Sequence, residues 1–141
     1  MALDNIFGIA GSALNAQTTR MNAVASNLAN ASTVAGTEKD AFRGKRTVFR
    51  AVLEDVSNPR DVNFKGGVKV DSIQDDPTSV RRMSDPGNPL ADKDGYVYLS
   101  NVNEMTEMVE MMAASRSYQN NVEVVNTARQ LMMRTLDLTR S

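Results

Sequence analysis

Paired carboxylates are the first feature of the sequence that could do chemistry. Asp75-Asp76 and the pair Glu107 and Glu110 each bring two acids together, and glycan cleavage needs two, one as acid and one as base or nucleophile. Adjacent acids on an exposed turn or helix face are ordinarily solvated charge, and that is the expectation for both pairs. Asp92-Lys93-Asp94-Gly95 begins like a calcium loop, but Tyr96 stands where the next oxygen ligand belongs, and Asn103 holds the twelfth position in place of a bidentate Glu. A turn is expected there. Arg43, Lys45 and Arg46, with Arg81 and Arg82, gather positive charge without an aromatic platform for bases. Salt bridges on strand surfaces or between subunits are their expected use.

Composition removes most other chemistry. The chain has no His, Cys or Trp, so the usual zinc ligands, thiol nucleophiles and every Ser-His-Asp or Cys-His arrangement are absent. With 16 Lys and Arg against 17 Asp and Glu, no field of one sign is available to draw in nucleic acid or an anionic membrane. The expectation is a non-enzymatic chain with no catalytic, cofactor-binding or metal-binding residues, no cofactor, no nucleic-acid partner and no small-molecule substrate.

At 141 residues, one compact unit with a modest core is expected. The start, Met1-Ala2-Leu3-Asp4-Asn5-Ile6-Phe7-Gly8, lacks a basic region and a continuous apolar run, so it does not read as a cleaved signal peptide. No stretch approaches the roughly 20 apolar residues that cross a bilayer.

Hydrophobic period divides the chain into three. Phe7, Ala10, Leu14, Gln17, Met21, Val24, Leu28 and Ala31 recur at steps of three and four, the spacing of one helix stripe. Gly8 and Gly11 each weaken the first turns by about 1 kcal/mol relative to Ala, so fraying is expected before about residue 12. Asn30, Ser32 and Gly36 supply turn chemistry after the helix. From about Val34 to Ser100 the period is lost and turn formers accumulate. Short alternating runs at Ala41 to Arg50, Gly67 to Gln74 and Gly95 to Leu99 predict a small β region. With Phe42, Phe49, Phe64, two tyrosines and scattered valines to bury, it is expected to be marginal unless packed against something else.

The third segment, about Val102 to Ser141, predicts the longest helix, with two apolar stripes. At about 100° per residue, Met111, Ala114, Tyr118, Val122, Val125, Met132 and Leu136 share one stripe, and Val124, Ala128, Leu131, Thr135 and Leu138 another. Arg116, Gln119, Glu123, Asn126, Gln130, Arg134 and Asp137 form a polar face. Packing between the helices is assigned to Phe7, Leu14, Met21, Val24 and Leu28 against Met111, Tyr118, Val122, Val125, Met132 and Leu136. The first helix covers one stripe as an antiparallel coiled coil. Nothing else in the chain is large enough to cover Val124, Ala128, Leu131 and Leu138, which are expected to face a neighbour. Both terminal segments are accordingly expected to order fully only on association. Six of the nine methionines lie between Met105 and Met133, which suits surfaces that repack against non-identical neighbours. The fold class is α+β, an antiparallel coiled-coil pair of terminal helices plus a small β-rich middle domain. Residues 1–35 and 101–141 form a discontinuous helical domain and 36–100 the β-rich one.

Ala25-Ser26-Asn27-Leu28-Ala29-Asn30-Ala31-Ser32-Thr33, the opening Ile6-Phe7-Gly8-Ile9-Ala10-Gly11-Ser12-Ala13-Leu14, Asp94-Gly95-Tyr96-Val97, Asn101-Val102-Asn103, Ala114-Ser115-Arg116-Ser117-Tyr118-Gln119 and Asn126-Thr127-Ala128 resemble, in that family's order, the flagellar rod and hook family. The resemblance runs nearly end to end. It implies a structural subunit of the basal-body rod, with terminal helices in the wall of a hollow shaft and the β-rich domain outside. It also implies export from the cytoplasm to the periplasmic space by the flagellar type III apparatus without signal cleavage. Partners implied are copies of itself, the rod proteins FlgB, FlgF and FlgG, and the rod-to-ring adaptor FliE. Early export substrates of that system carry a Phe-x-x-x-apolar element, and Phe49-Arg50-Ala51-Val52-Leu53 resembles one, with Phe49 and Leu53 at its ends; a plain strand end is the rival reading. Gln119, Glu123, Asn126, Gln130 and Arg134 would then line the channel, where unfolded cargo slides past polar groups. The alternatives are a secreted helical adaptor or translocon component and a peptidoglycan-cleaving enzyme using the paired acids.

Overall fold

The computed structural model describes residues 2–52 and 66–140. Two long helices, α1 (Ala2–Asn30) and α2 (Glu104–Arg140), flank five strands: β1 (Val34–Ala35), β2 (Lys45–Ala51), β3 (Val68–Asp75), β4 (Arg81–Ser84) and β5 (Tyr96–Leu99). The class is α+β, as expected. No helix among the described residues is long and apolar enough to cross a membrane.

Helix α1 runs from Ala2 through Gly8 and Gly11. Beside those glycines Ala10 is buried, and the Ser12 hydroxyl accepts a bond from the Val68 backbone N–H at 3.1 Å, tertiary contacts of the kind that support a helix beyond its propensity. At the other end, Thr33 donates from its backbone (3.2 Å) and its hydroxyl (2.7 Å) to the Asn30 carbonyl, closing the helix without a left-handed glycine. Gly36 serves instead as a point of close approach, since a Cβ there would lie 2.9 Å from the Leu90 carbonyl oxygen.

The strands form two sheets. Central β5 pairs antiparallel with β1 (Val34 opposite Leu99) and with β4 (Met83 opposite Val97), and Val97 is fully buried. Strands β2 and β3 form a two-stranded sheet. Backbone bonds from Val52 to Gly67 and from Asp76 to Gly44, at 2.9 and 2.7 Å, bracket it and fix an antiparallel sense. The expected runs at 41–50, 67–74 and 95–99 correspond to β2, β3 and β5. Strands β1 and β4 were not anticipated; one is only two residues long and the other, Arg81–Ser84, is exposed throughout, so neither carries an apolar alternation.

The stretch Asp92-Lys93-Asp94-Gly95 is a turn, as expected. One Asp92 oxygen accepts the backbone N–H groups of Asp94 and Tyr96, both at 2.9 Å. Those bonds, led by that from Tyr96, hold the Asp92 carboxyl below its ordinary range. Gly95 takes φ +79°, and a Cβ there would lie 3.2 Å from Cγ of Pro86. Arg82 stacks over the Tyr96 ring at 3.7 Å.

The chain divides into two compact units: Met1–Thr19, Val48–Ser72 and Ala113–Ser141 form one, and Arg20–Thr47 with Ile73–Met112 the other. In the second, Ala23, Val24, Ala31, Ala41, Val97 and Val102 make the buried apolar core. Among the described residues of the first, the buried apolar ones are Ala10, Ala16, Ala114 and Ala128.

Two glycines predict opposite outcomes for one substitution. Gly95→Ala places a side chain in a left-handed turn against Pro86 and should cost about 1–2 kcal/mol. Gly11→Ala, in open space within α1, should stabilise by about 0.5–1 kcal/mol. Urea denaturation followed by circular dichroism measures both.

Candidate functional site

The most constrained chemistry lies in the second unit, where the end of α1, the start of α2 and the ends of β2 and β3 meet around Glu107. Its side chain is fully buried. One carboxylate oxygen accepts from Arg46 Nη1 at 2.8 Å, and the other accepts from Asn27 Nδ2 at 2.9 Å. Asn27, also fully buried, clamps the backbone of Lys45: its Oδ1 accepts the Lys45 N–H at 2.6 Å and its Nδ2 donates to the Lys45 carbonyl at 3.0 Å. Arg46 Nε reaches Asp76 Oδ2 at 3.2 Å. The neighbouring Asn101 accepts the Gly44 N–H at 2.8 Å and donates to the carbonyls of Asp76 and Thr78. One helix side chain thus fixes a strand backbone, and one loop side chain fixes two strand ends.

Electrostatics favour the charged forms of the exposed partners. Thr78, through its side chain and its backbone N–H, holds the Asp76 carboxyl below its ordinary value, with Arg46 adding to the effect. Burial opposes the charge on Arg46, but bonds to Asp76 and the nearby Glu107 outweigh it and raise the guanidinium above its ordinary value. Every acceptor of Glu107 that is described faces a donor. Such a group serves as a structural anchor.

This corrects the expectation of solvated charge for Glu107, which is a buried ion-pair partner; Glu110 stays part-exposed beside Arg20 and Asp75 exposed beside Lys45, as expected of surface charge. The periodicity carried the signal: Glu107 falls on the same stripe as Met111 and Ala114, at steps of four and three, and Asn27 falls between Val24 and Ala31 on the stripe of α1. A polar residue inside an apolar seam implies a partner. The basic cluster forms ion pairs as expected, with Arg43 on Glu38 and Arg82 on Asp94.

The helices run antiparallel in this unit, since Arg20 meets Glu110, Asn27 meets Glu107 and Ser32 meets Glu104. Of the residues assigned to helix packing, Val24 is buried, and Phe7, Leu14, Met21, Leu28, Met111, Tyr118, Val125 and Met132 are partly covered. Val122 and Leu136 lie exposed. Of the residues assigned to a neighbour, Val124, Leu131 and Leu138 are exposed and Ala128 is buried. Gln119, Glu123, Asn126, Gln130 and Arg134 are all exposed. Phe49 is exposed on β2, and Leu53 lies outside the described residues.

Known proteins resemble this chain along its length. Residues 7–36 match the family described as "Flagella basal body rod protein" and residues 93–138 match "Flagellar basal body rod FlgEFG protein C-terminal". Proteins named flagellar basal-body rod protein FlgC are similar over 98% of both chains: 49% identical in Yersinia enterocolitica, 48% in Salmonella typhimurium and 46% in Buchnera aphidicola from Acyrthosiphon pisum. The chain belongs to the flagellar basal-body rod proteins. In this rod-family chain, Asn27, Asn101 and Glu107 lie within the two family-matched stretches, whereas the strand groups they hold, Gly44, Lys45, Arg46 and Asp76, lie between them.

Asn27→Ala should destabilise the rod-family chain by about 2–4 kcal/mol, because it strands the Lys45 peptide groups and one Glu107 oxygen. Arg20→Ala, at a part-exposed pair, should cost no more than about 1 kcal/mol. Chemical denaturation separates the two. The depressed Asp76 value also sets a pH dependence: its contribution is fully present above the unfolded value of 3.8 and is lost as pH falls through the lower folded value. Asp76→Asn should therefore flatten the loss of stability below about pH 4, read from denaturation midpoints at falling pH.

Proposed function

We propose that this chain is a non-enzymatic structural subunit of the flagellar basal-body proximal rod, assembling through its terminal helices into a hollow shaft that passes exported cargo. One observation carries the reading. Among the described residues of the unit that contains the start of α1 and the end of α2, the buried apolar side chains are alanines, while Ile6, Ile9, Val122, Val124, Leu131, Met133, Leu136 and Leu138 stand from about a third to three-quarters exposed. Buried alanines supply little of the stabilisation that large side chains give, at about 1.5–3 kcal/mol each when fully buried. Those side chains are buried by neighbours.

In this reading residues 1–35 and 101–141 form the rod wall and 36–100 lie outside it. Copies of the chain, FlgB, FlgF and FlgG, and the adaptor FliE are the neighbours. The subunit leaves the cytoplasm through the type III export apparatus with its start intact, and acts in the basal body at the level of the periplasm. Phe49 to Leu53 serves as the export element. The exposed polar row Gln119, Glu123, Asn126, Gln130 and Arg134 lines the channel, giving unfolded cargo no apolar surface on which to adhere.

Removing residues 132–141 takes Leu136 and Leu138 from the exposed face and should abolish incorporation into rods while leaving the chain soluble. Co-sedimentation of the full-length and shortened chains with assembled basal bodies measures this. Equal incorporation of the shortened chain would overturn assembly through the terminal helices.

A further inference from the structure

The first turns of α2 have two unlike sides. On one, Glu104 accepts from the Ser32 hydroxyl at 3.0 Å, Glu107 takes bonds from Asn27 and Arg46, and Glu110 pairs with Arg20. The other side carries Met105, Met108, Val109 and Met112, whose steps of three, one and three place them on one helix face. Each of the four is half to three-quarters exposed. The bonds that hold this segment in the second unit thus leave from the side away from these methionines.

In a chain without cysteine, the methionine thioether is the group that peroxides oxidise most readily. Among the described residues the exposed methionines are Met83, Met105, Met108, Met112 and Met133; three of the five share this face, so oxidation is concentrated there. Met111, next in sequence to Met112, points to the covered side and is only part-exposed. In each event hydrogen peroxide passes one oxygen to the sulfur, the thioether loses two electrons to become a sulfoxide, and the peroxide leaves as water. No chain bond breaks. A flexible apolar side chain becomes a polar one, while the bonds of Glu104, Glu107 and Glu110 on the opposite side are untouched.

We propose that Met105, Met108 and Met112 form an oxidant-sensitive face on the free subunit: peroxide converts the three thioethers to sulfoxides without unfolding the chain, and the polar face that results keeps the subunit out of the rod. The proposal rests on the assembly reading above and adds a means of regulating it. Sulfoxide formation is reversible by methionine sulfoxide reductases, one for each epimer, so the exclusion is reversible too. Leucine, close to methionine in volume, would give the same face an apolar character that peroxide cannot alter.

The full-length chain is treated with dilute hydrogen peroxide, freed of it, and compared with untreated chain in three ways. Peptide mass spectrometry should find one added oxygen at Met105, Met108 and Met112 before Met111. The urea midpoint followed by circular dichroism should not move. Co-sedimentation with assembled basal bodies should be lost, and should return after incubation with both reductases and dithiothreitol, whose dithiol becomes a disulfide as the sulfoxide oxygen leaves as water. A chain with Met105→Leu, Met108→Leu and Met112→Leu together should incorporate equally before and after peroxide. Should that triple variant be excluded even untreated, the single Leu variants decide, each expected to keep more incorporation after peroxide than the natural chain. Loss of incorporation by the oxidised Leu variants to the same extent as the natural chain would assign the effect to other methionines and overturn the proposal. A lowered urea midpoint, no return with the reductases, or equal incorporation of the oxidised natural chain would also overturn it and leave the assembly reading standing. Failure of the untreated natural chain to incorporate would overturn both.

Discussion

Burying Glu107 commits the rest of its surroundings. A carboxylate taken fully out of water is strongly unfavourable unless donors surround it, and here the donors come from two other elements, Asn27 of α1 and Arg46 of β2. The helix pair and the strand are therefore joined by a contact that tolerates neither sliding nor rotation. Asn27 adds a second constraint, since it holds both backbone groups of Lys45. Apolar packing alone would allow several registers of strand on helix. A satisfied polar network of this kind selects one, and the core valines and alanines then pack in the arrangement it sets.

The two compact units solve opposite problems. The unit with Glu107 has branched apolar side chains inside and a complete set of polar partners, the pattern of a part that is finished before assembly. The unit with the helix termini has alanines inside and the larger side chains outside. Small buried residues let helices approach closely, but they leave the hydrophobic driving force unspent on the outer faces. Any partner that covered those faces would add to the stability of this unit, by the general linkage between binding and folding.

Much of this was legible in the sequence for physical reasons. Steps of three and four named both helices, and Asp92 with Gly95 named a turn that needs a side-chain acceptor and a left-handed residue. At the start of α1, local propensity carries no sign of the bond between Ser12 and Val68, which joins positions 56 apart. Glu107 was read as solvent-facing for a similar cause: its guanidinium partner lies 61 residues away, and acids near the start of a helix are common on dipole grounds alone. Its place on the apolar stripe was the overlooked sign. Strand β4 carried none, being exposed on both faces and held by backbone pairing.

Helix α2 contains neither glycine nor proline along its 37 residues. Sharp bends in helices arise at proline, at glycine and serine pairs, at inserted turns or at wedged side chains, and the first two are excluded here by sequence. Its 37 residues correspond to about 55 Å of helical backbone. A load reaching this helix would pass onward through whatever its side chains touch, so the give of those contacts would be set by the side chains that make them, and methionine is among the softest available.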